Sequence, residues 1–226
     1  MKRVLWVFVL LIINKCWAQQ IEVGPNIGYG FSNIANSAIV KGRAVIGNAL
    51  WNSNSGFSLM YFFKDPDKKF ASAIHVQYIQ QRKGSKSEVL SGSEYNFQTS
   101  TFNVCIRPAG NIGNHWRLYA DFGIGFNTIE NAPYYSGTPD IWAAFPTLET
   151  PLSIKKSEVT FVYGFGIEKP FFKNSFVCFA SLTGDAGITT INESPGRFRT
   201  QSLGFGTGVR YILHLTKQPD RSNKSL

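Results

Sequence analysis

Few side chains in this sequence have the types and spacing that chemistry needs. His75 follows Ser72 by three residues, and a serine beside a histidine could act as nucleophile and base in ester hydrolysis. No GxSxG arrangement accompanies this pair. We therefore interpret His75 as an ordinary inward-facing polar residue of a strand, and we predict no catalytic residue.

Four charged residues could instead form two acid–arginine pairs. Glu22 opens the first predicted strand and Arg210 comes near the end of the last, while Arg117 begins the fifth and Glu168 ends the sixth. A buried charge needs a partner, and the planar guanidinium group suits a carboxylate. We expect Glu22–Arg210 and Arg117–Glu168 to face inward at one level, on opposite walls, as a structural floor without catalytic function.

Metal, cofactor and nucleic-acid sites are not expected. The sequence has three cysteines and three histidines, all dispersed and without a CxxC motif. Cys105 and Cys178 fall on strands that are not neighbours, so we expect free thiols. The formal net charge is +9, but the cations form no stripe with aromatic residues.

The elements that position these residues have a period of two. Apolar residues occupy every odd position from Ile21 to Phe31, with polar or small residues between them. A strand of about twelve residues is longer than the 5–6 residues usual in globular proteins and suits a tilted membrane strand. Similar segments follow at about 57–63, 70–78, 95–107, 116–127, 159–167, 175–184 and 203–213.

The connections between these segments alternate in length. The long ones are 33–55, 82–94, 129–156 and 185–199, and the short ones are 64–69, 108–115 and 169–174. Outer-membrane barrels combine short periplasmic turns with long outer loops. The predicted fold is therefore all-β: an eight-stranded antiparallel up-and-down transmembrane β-barrel, too narrow for a wide pore.

Residues 1–18 are predicted to be a secretory signal peptide. Lys2 and Arg3 precede an apolar run at 4–13, and small residues allow cleavage after Ala18. About ten apolar residues are too few for a membrane-spanning helix, which needs ~20.

A lipoprotein with lipid on Cys16 is the alternative, but the preceding Asn14 and Lys15 disfavour it. The barrel would then occupy 19–213, and residues 214–226 would form a basic periplasmic tail.

Three passages resemble the PorT-like outer-membrane β-barrel family of Bacteroidota. Residues 75–84 (HVQYIQQRKG) are similar to its third strand, 163–168 (YGFGIE) to its sixth, and 204–211 (GFGTGVRY) to its closing strand. Two departures are Gln77, where the family usually has an acidic residue, and Pro108, which follows the apolar run of strand four instead of lying inside it. The resemblance implies a Gram-negative outer-membrane location and, for some members, a part in protein secretion.

The predicted function is that of a small non-enzymatic outer-membrane barrel acting as an interaction or assembly component. Expected partners are outer-membrane lipid, the barrel-assembly machinery during insertion, and a protein bound through the outer loops or the basic tail. A candidate contact surface lies in the long loop, at Tyr134, Tyr135, Trp142 and Phe145, although these side chains could instead pack onto the barrel mouth. An outer-membrane lipid-modifying enzyme and a secreted soluble barrel that binds an apolar ligand remain alternatives.

Overall fold

The computed structural model describes residues 20–36, 39–40, 43–44, 48–63, 66, 69–86, 94–113, 115–130, 134–136, 155–172, 174–191 and 198–214. The predicted signal peptide and basic tail lie outside these residues, except for His214. Within the described part of the chain, no helix is long and apolar enough to cross a membrane.

Eight long strands form the described part of the molecule. They are β1 (Gln20–Asn36), β2 (Asn48–Phe62), β3 (Phe70–Lys86), β4 (Glu94–Asn111), β5 (Arg117–Ile129), β6 (Ser157–Phe171), β7 (Phe176–Gly187) and β8 (Phe198–His214). Each strand pairs antiparallel with the next in the chain, and β1 pairs antiparallel with β8. The barrel is therefore closed, and the predicted fold is confirmed.

Among the described residues, three short strand segments lie outside the barrel wall. Ile39–Val40 pairs with Arg43–Ala44, and Tyr134–Ser136 pairs with the first residues of β4.

The strands alternate between a buried face and an exposed face. In β5, Arg117, Tyr119 and Asp121 are buried, whereas Leu118 and Phe122 are exposed. Large apolar side chains stand exposed all round the wall, including Ile27, Tyr29, Phe57, Leu59, Phe102, Ile106, Ile124, Phe126, Phe161, Phe165 and Phe205. A soluble protein rarely exposes so continuous an apolar surface, and a band of this kind is the lipid-facing surface of a membrane barrel.

The strands tilt strongly against the barrel axis. Directly paired residues can be followed from strand to strand around the barrel. The row that starts at Ile167, near the Phe171 end of β6, comes back to β6 at Ser157, ten residues away. The row passes through Ala180, Thr207, Ile27, Ser55, Gln80, Ser100 and Thr128. Such a stagger is what closure of an eight-stranded sheet requires.

The two ends of the barrel differ in their connections. The turns after β2, β4 and β6 are short and share one end with Gln20 and His214, while the longer connections occupy the other. This arrangement gives the periplasmic and outer ends, respectively.

The strands reach further toward the outer end than the sequence predicts. β1 continues to Asn36 and β2 begins at Asn48, so much of the predicted loop 33–55 is strand. β3 likewise runs to Lys86 and β7 to Gly187. Above the lipid both faces of a strand carry polar residues, so the two-residue hydropathy pattern ends before the strand does.

Candidate functional site in the barrel lumen

Glu22, Arg117, Glu168 and Arg210 meet near the periplasmic end of the lumen, and we call them the floor cluster. Arg210 Nε donates to Glu22 Oε2 over 2.9 Å, and Arg117 Nη2 donates to Glu22 Oε1 over 2.9 Å. Arg117 Nε lies 3.0 Å from Glu168 Oε1, and Arg210 Nη2 also contacts Glu168. None of the four side chains is more than 3% exposed.

The floor cluster differs from the sequence prediction in its pairing. β1 stands opposite β5 in the closed strand order, whereas only β7 separates β6 from β8, and the residues do not form two separate pairs. Each arginine contacts both glutamates. The lumen is narrow enough for long side chains to cross it, so the two predicted pairs become a single ring.

Three more residues extend the floor cluster. Arg107 makes a two-pronged contact with Asp121, with Nε–Oδ1 and Nη2–Oδ2 distances of 2.8 and 2.5 Å, and Arg107 Nη2 donates to His75 Nδ1 over 2.9 Å. Arg107 Nη1 also lies 3.6 Å from Glu168 Oε2. The extended cluster thus holds three arginines and three carboxylates.

Aromatic rings line the same arginines. The guanidinium carbon of Arg107 lies 3.7 Å from the ring centre of Tyr119, that of Arg210 lies 4.4 Å from Phe179, and that of Arg117 lies 5.1 Å from Phe62. A guanidinium group over a ring face gains electrostatic attraction that strengthens away from water. Ion pairs and rings together fill the periplasmic half of the lumen.

The role of Arg107 was missed at the sequence level, although a signal exists. Phe102, Val104 and Ile106 lie on the outer face of β4. Arg107 follows at an odd position, as Cys105 does, so its side chain is expected to point into the lumen. Extending the alternation by one residue would have found it.

A second group of charges, the outer cluster, lies toward the other end of the lumen. Lys83 Nζ donates to both oxygens of Asp185, over 2.8 and 2.7 Å, and reaches Thr200 Oγ1 at 3.4 Å. Glu158 accepts from the backbone of Thr200 over 2.8 Å and from Asn127 Nδ2 over 3.0 Å. The sequence prediction placed Lys83 and Asp185 in loops, so it could not find this group.

No described arrangement resembles a hydrolase centre. Ser72 is exposed on the outer face of β3, whereas His75 is buried on the inner face. Cys105 is the paired residue of His75 in β4 and is also buried. His75 Nδ1 lies 2.9 Å from Arg107 Nη2 and 3.3 Å from Asp121 Oδ2, so Arg107 and Asp121 hold the imidazole within the extended cluster.

The remaining predicted residues divide between the described and undescribed parts of the chain. Tyr134 and Tyr135 belong to the short segment that pairs with Glu94–Asn96 of β4. Trp142 and Phe145 lie outside the described residues. Cys105 and Cys178 are both free thiols, as predicted, with Cys105 buried and Cys178 exposed.

Metal ligands are also sparse. Over the described ranges, no group of three or more His, Cys, Asp or Glu side chains could hold a metal ion.

Between the two clusters the lumen contains a cavity of about 60 Å³. Glycine backbone of β1 and β8 forms one side of it, and amide and hydroxyl side chains such as Asn26, Gln77 and Thr183 form much of the rest. The cavity is large enough to hold ordered water, which needs about 10–15 Å³ of such space.

Comparisons with known proteins support the fold. No protein-family model and no curated protein sequence matches this chain. The outer membrane protein OprG of Pseudomonas aeruginosa aligns over 87% of this chain and 97% of its own, with a TM-score of 0.53 and 9% identity.

Two further solved structures align with lower TM-scores. Ail, the attachment invasion locus protein of Yersinia pestis, in complex with a heparin analogue, covers 84% of this chain and 99% of its own, with a TM-score of 0.41 and 16% identity. Neisserial surface protein A covers 84% and 96%, with a TM-score of 0.46 and 9% identity. The closed antiparallel topology and the alignment with OprG show that the chain has the fold of a bacterial outer-membrane β-barrel, and its apolar exterior suits that location.

Proposed function

We propose that this chain is a non-enzymatic outer-membrane barrel that acts as an interaction or assembly component through its outer rim. The filled lumen supports this proposal most directly. Three arginines and three carboxylates hold one another below the cavity, which leaves no nucleophile and base in contact among the described residues.

The outer rim offers a surface for a protein partner. β3 and β4 remain paired up to Lys86 and Glu94, and Tyr134–Ser136 adds a third strand beside Glu94–Asn96. A short strand at the edge of such a rim sheet can pair with an extended segment of another protein. The resemblance to the PorT-like family favours a partner that belongs to a protein-secretion apparatus.

The remaining elements of the proposal concern export. A signal peptide at 1–18 directs the chain across the inner membrane, the barrel-assembly machinery inserts it, and outer-membrane lipid surrounds it. The basic tail at 214–226 would stay in the periplasm as a second contact region.

Site-specific photocrosslinking in native outer membranes tests the rim. A photoreactive residue at Tyr135 should capture a discrete protein, whereas the same residue at Trp116, an aromatic position on the periplasmic rim, should not capture that protein. Equal adducts at both positions, or none at Tyr135, would contradict the proposal.

Lipid analysis separates this proposal from the enzymatic alternative. Mass spectra of lipid A from a deletion strain should match those of the parent strain. A change in acyl chains that catalytic amounts of the protein restore would favour a lipid-modifying enzyme instead.

A further inference from the structure

The described part of the lumen holds more buried negative charge than positive charge. The buried cations are Lys83, Arg107, Arg117 and Arg210, and the buried carboxylates are Glu22, Asp121, Glu158, Glu168 and Asp185. With histidine neutral, four cations face five carboxylates, so one negative charge is left over. A charge buried in a protein needs a counter-charge or a bound metal ion.

Glu158 is the carboxylate without a cation. It is 2% exposed, and it accepts hydrogen bonds only from Thr200 and Asn127. None of the ion pairs among the described residues includes Glu158. Lys83, the cation of the outer cluster, donates to both oxygens of Asp185 instead. The uncompensated negative charge therefore lies in the outer cluster, above the cavity.

Two buried oxygens without a hydrogen-bond partner lie below Glu158. Thr160 is the next residue on the inner face of β6, and Asn103 is on the inner face of β4. These two residues are 0% and 3% exposed, and neither Thr160 Oγ1 nor Asn103 Oδ1 has a partner among the described residues. Asn103 Nδ2 donates to Gln77 Oε1 over 3.5 Å, which turns the Oδ1 atom away from Gln77. A buried oxygen without a partner is costly, so both atoms favour a ligand.

Gly125 brings these two oxygens together. On β5 it is paired with Asn103 of β4 on one side and with Thr160 of β6 on the other. A Cβ atom at Gly125 would lie 2.5 Å from Asn103 Oδ1 and 2.5 Å from Thr160 Oγ1, so both side chains lean over the glycine. One small ligand above Gly125 can therefore contact both oxygens, and we call this place the Gly125 site.

The Gly125 site adjoins the cavity between the two clusters. Asn103 lines that cavity, and so does Val162, whose Cγ2 atom lies 3.1 Å from the same Cβ position. The cavity of about 60 Å³ has room for ordered water beside a small ligand. Thr160 and Glu158 are two residues apart in β6, which is about 7 Å along a strand. At this range a buried carboxylate attracts a cation without touching it.

The two oxygens select the chemical class of the ligand. Amide carbonyl and hydroxyl oxygens are neutral ligands for hard cations. Calcium and magnesium are held mainly by carboxylates, whereas Glu158 accepts with its carboxylate from Thr200 and Asn127. A water molecule would satisfy the two oxygens but would leave the negative charge uncompensated. A monovalent alkali-metal cation satisfies the oxygens and balances the charge.

We propose that the Gly125 site binds an alkali-metal cation such as sodium. Asn103 Oδ1 and Thr160 Oγ1 coordinate the ion, ordered water in the cavity supplies the remaining ligands, and Glu158 provides the counter-charge from above. Two neutral protein ligands distinguish this site from the clusters of histidine, cysteine and carboxylate that bind transition metals. The site lies in the lumen, apart from the outer rim of the proposed function, so either proposal can fail without the other.

Unfolding of the full-length mature protein in lipid vesicles tests the site. At constant ionic strength, the ratio of folded to unfolded protein should rise about tenfold when sodium chloride, at about ten times its dissociation constant, replaces N-methylglucamine chloride. N-methylglucamine carries the same charge but is too large for the cavity. The response should saturate with sodium concentration. Equal stability in the two salts would overturn the proposal and would mean that the site holds water only.

Two variants separate the Gly125 site from the rest of the cavity. Thr160→Val should abolish the response to sodium, and it should not destabilise the protein in N-methylglucamine chloride, because the lost hydroxyl has no partner among the described residues. Thr183→Val is the matched control. It removes a hydroxyl that lines the same cavity on β7 and should keep the full response. A response in Thr160→Val equal to that of the wild type, or an equal loss in both variants, would contradict the site.

Crystals of the wild-type protein grown with thallium(I), a heavy substitute for alkali-metal ions, locate the ion without any variant. An anomalous diffraction peak should lie above Gly125, in contact with Asn103 Oδ1 and Thr160 Oγ1. Peaks only on the protein surface would mean an adventitious ion only and would overturn the proposal.

Discussion

The floor cluster and the outer cluster both neutralise charges that are buried in the lumen, but they do so with different side chains. In the floor cluster each arginine contacts two glutamates, and Arg107 links the ring to Asp121. In the outer cluster Lys83 forms an ion pair with Asp185, while Glu158 accepts hydrogen bonds only from the uncharged groups of Thr200 and Asn127. A guanidinium group has five donors in a planar fork, whereas an ammonium is a point charge, so only the floor cluster is cross-linked.

This difference predicts that the floor cluster contributes more to stability per residue than the outer cluster. The largest effect is expected for Arg210→Met, because Arg210 is fully buried and contacts both Glu22 and Glu168. Removing one partner of a buried ion pair costs about 3–5 kcal/mol. Urea unfolding in lipid vesicles measures the free energy of unfolding, with the exposed Arg199→Met as control. A loss no larger than that of the control would contradict the cross-linked floor.

A double-mutant cycle tests whether the floor residues act as one unit. Glu168→Gln and Arg117→Gln should each destabilise the barrel, and the double variant should recover part of the loss, with a coupling energy of about 1–3 kcal/mol. Glu168 and Lys83 belong to different clusters, so the cycle Glu168→Gln with Lys83→Met should be additive. Equal coupling energies in the two cycles would contradict the division into two separate clusters.

Lys83→Met should have an intermediate effect. It leaves Asp185 without its cation, but Asp185 is 7% exposed and lies closer to solvent than Glu168 does, so we expect a loss of about 1–3 kcal/mol. The control is Arg82→Met, a change at the neighbouring residue, which is exposed. Destabilisation larger than that of Arg210→Met would reverse the ranking of the two clusters.

The smallest effect is expected for Asn127→Ala. Asn127 supplies one neutral hydrogen bond to Glu158, and Thr200 still supplies two others. The expected loss is about 1 kcal/mol, against no change in the exposed Thr128→Ala. A loss of several kcal/mol would show that the outer cluster is as tightly coupled as the floor cluster.

The floor residues could be found from the sequence because they lie where the hydropathy pattern is strong. Glu22 and Arg117 alternate with exposed apolar residues inside the lipid band, so their inward parity is clear. The merging of two pairs into one ring could not be found, because the reach of side chains across the lumen depends on barrel radius and tilt.

The outer cluster and the bulge between β2 and β3 were hidden for other reasons. Lys83 follows Gln80, Gln81 and Arg82, and a run of polar residues has no period that marks a strand. The bulge is a mismatch of one residue, in which residues 50–53 of β2 face residues 82–84 of β3. Such a bulge leaves no pattern in one sequence, because either strand alone looks regular.

The seam between β1 and β8 sets the order of events in biogenesis. Glu22 and Arg210 are 188 residues apart in the chain, and they become neighbours only when the first strand meets the last. Until then a growing sheet holds charges of the floor cluster without their partners, so closure is the step that gains the most. We expect a chain that lacks β8 to remain bound to the assembly machinery, as co-purification would show, while the full chain is released. Its premature release would mean that this late pairing does not govern the timing of insertion.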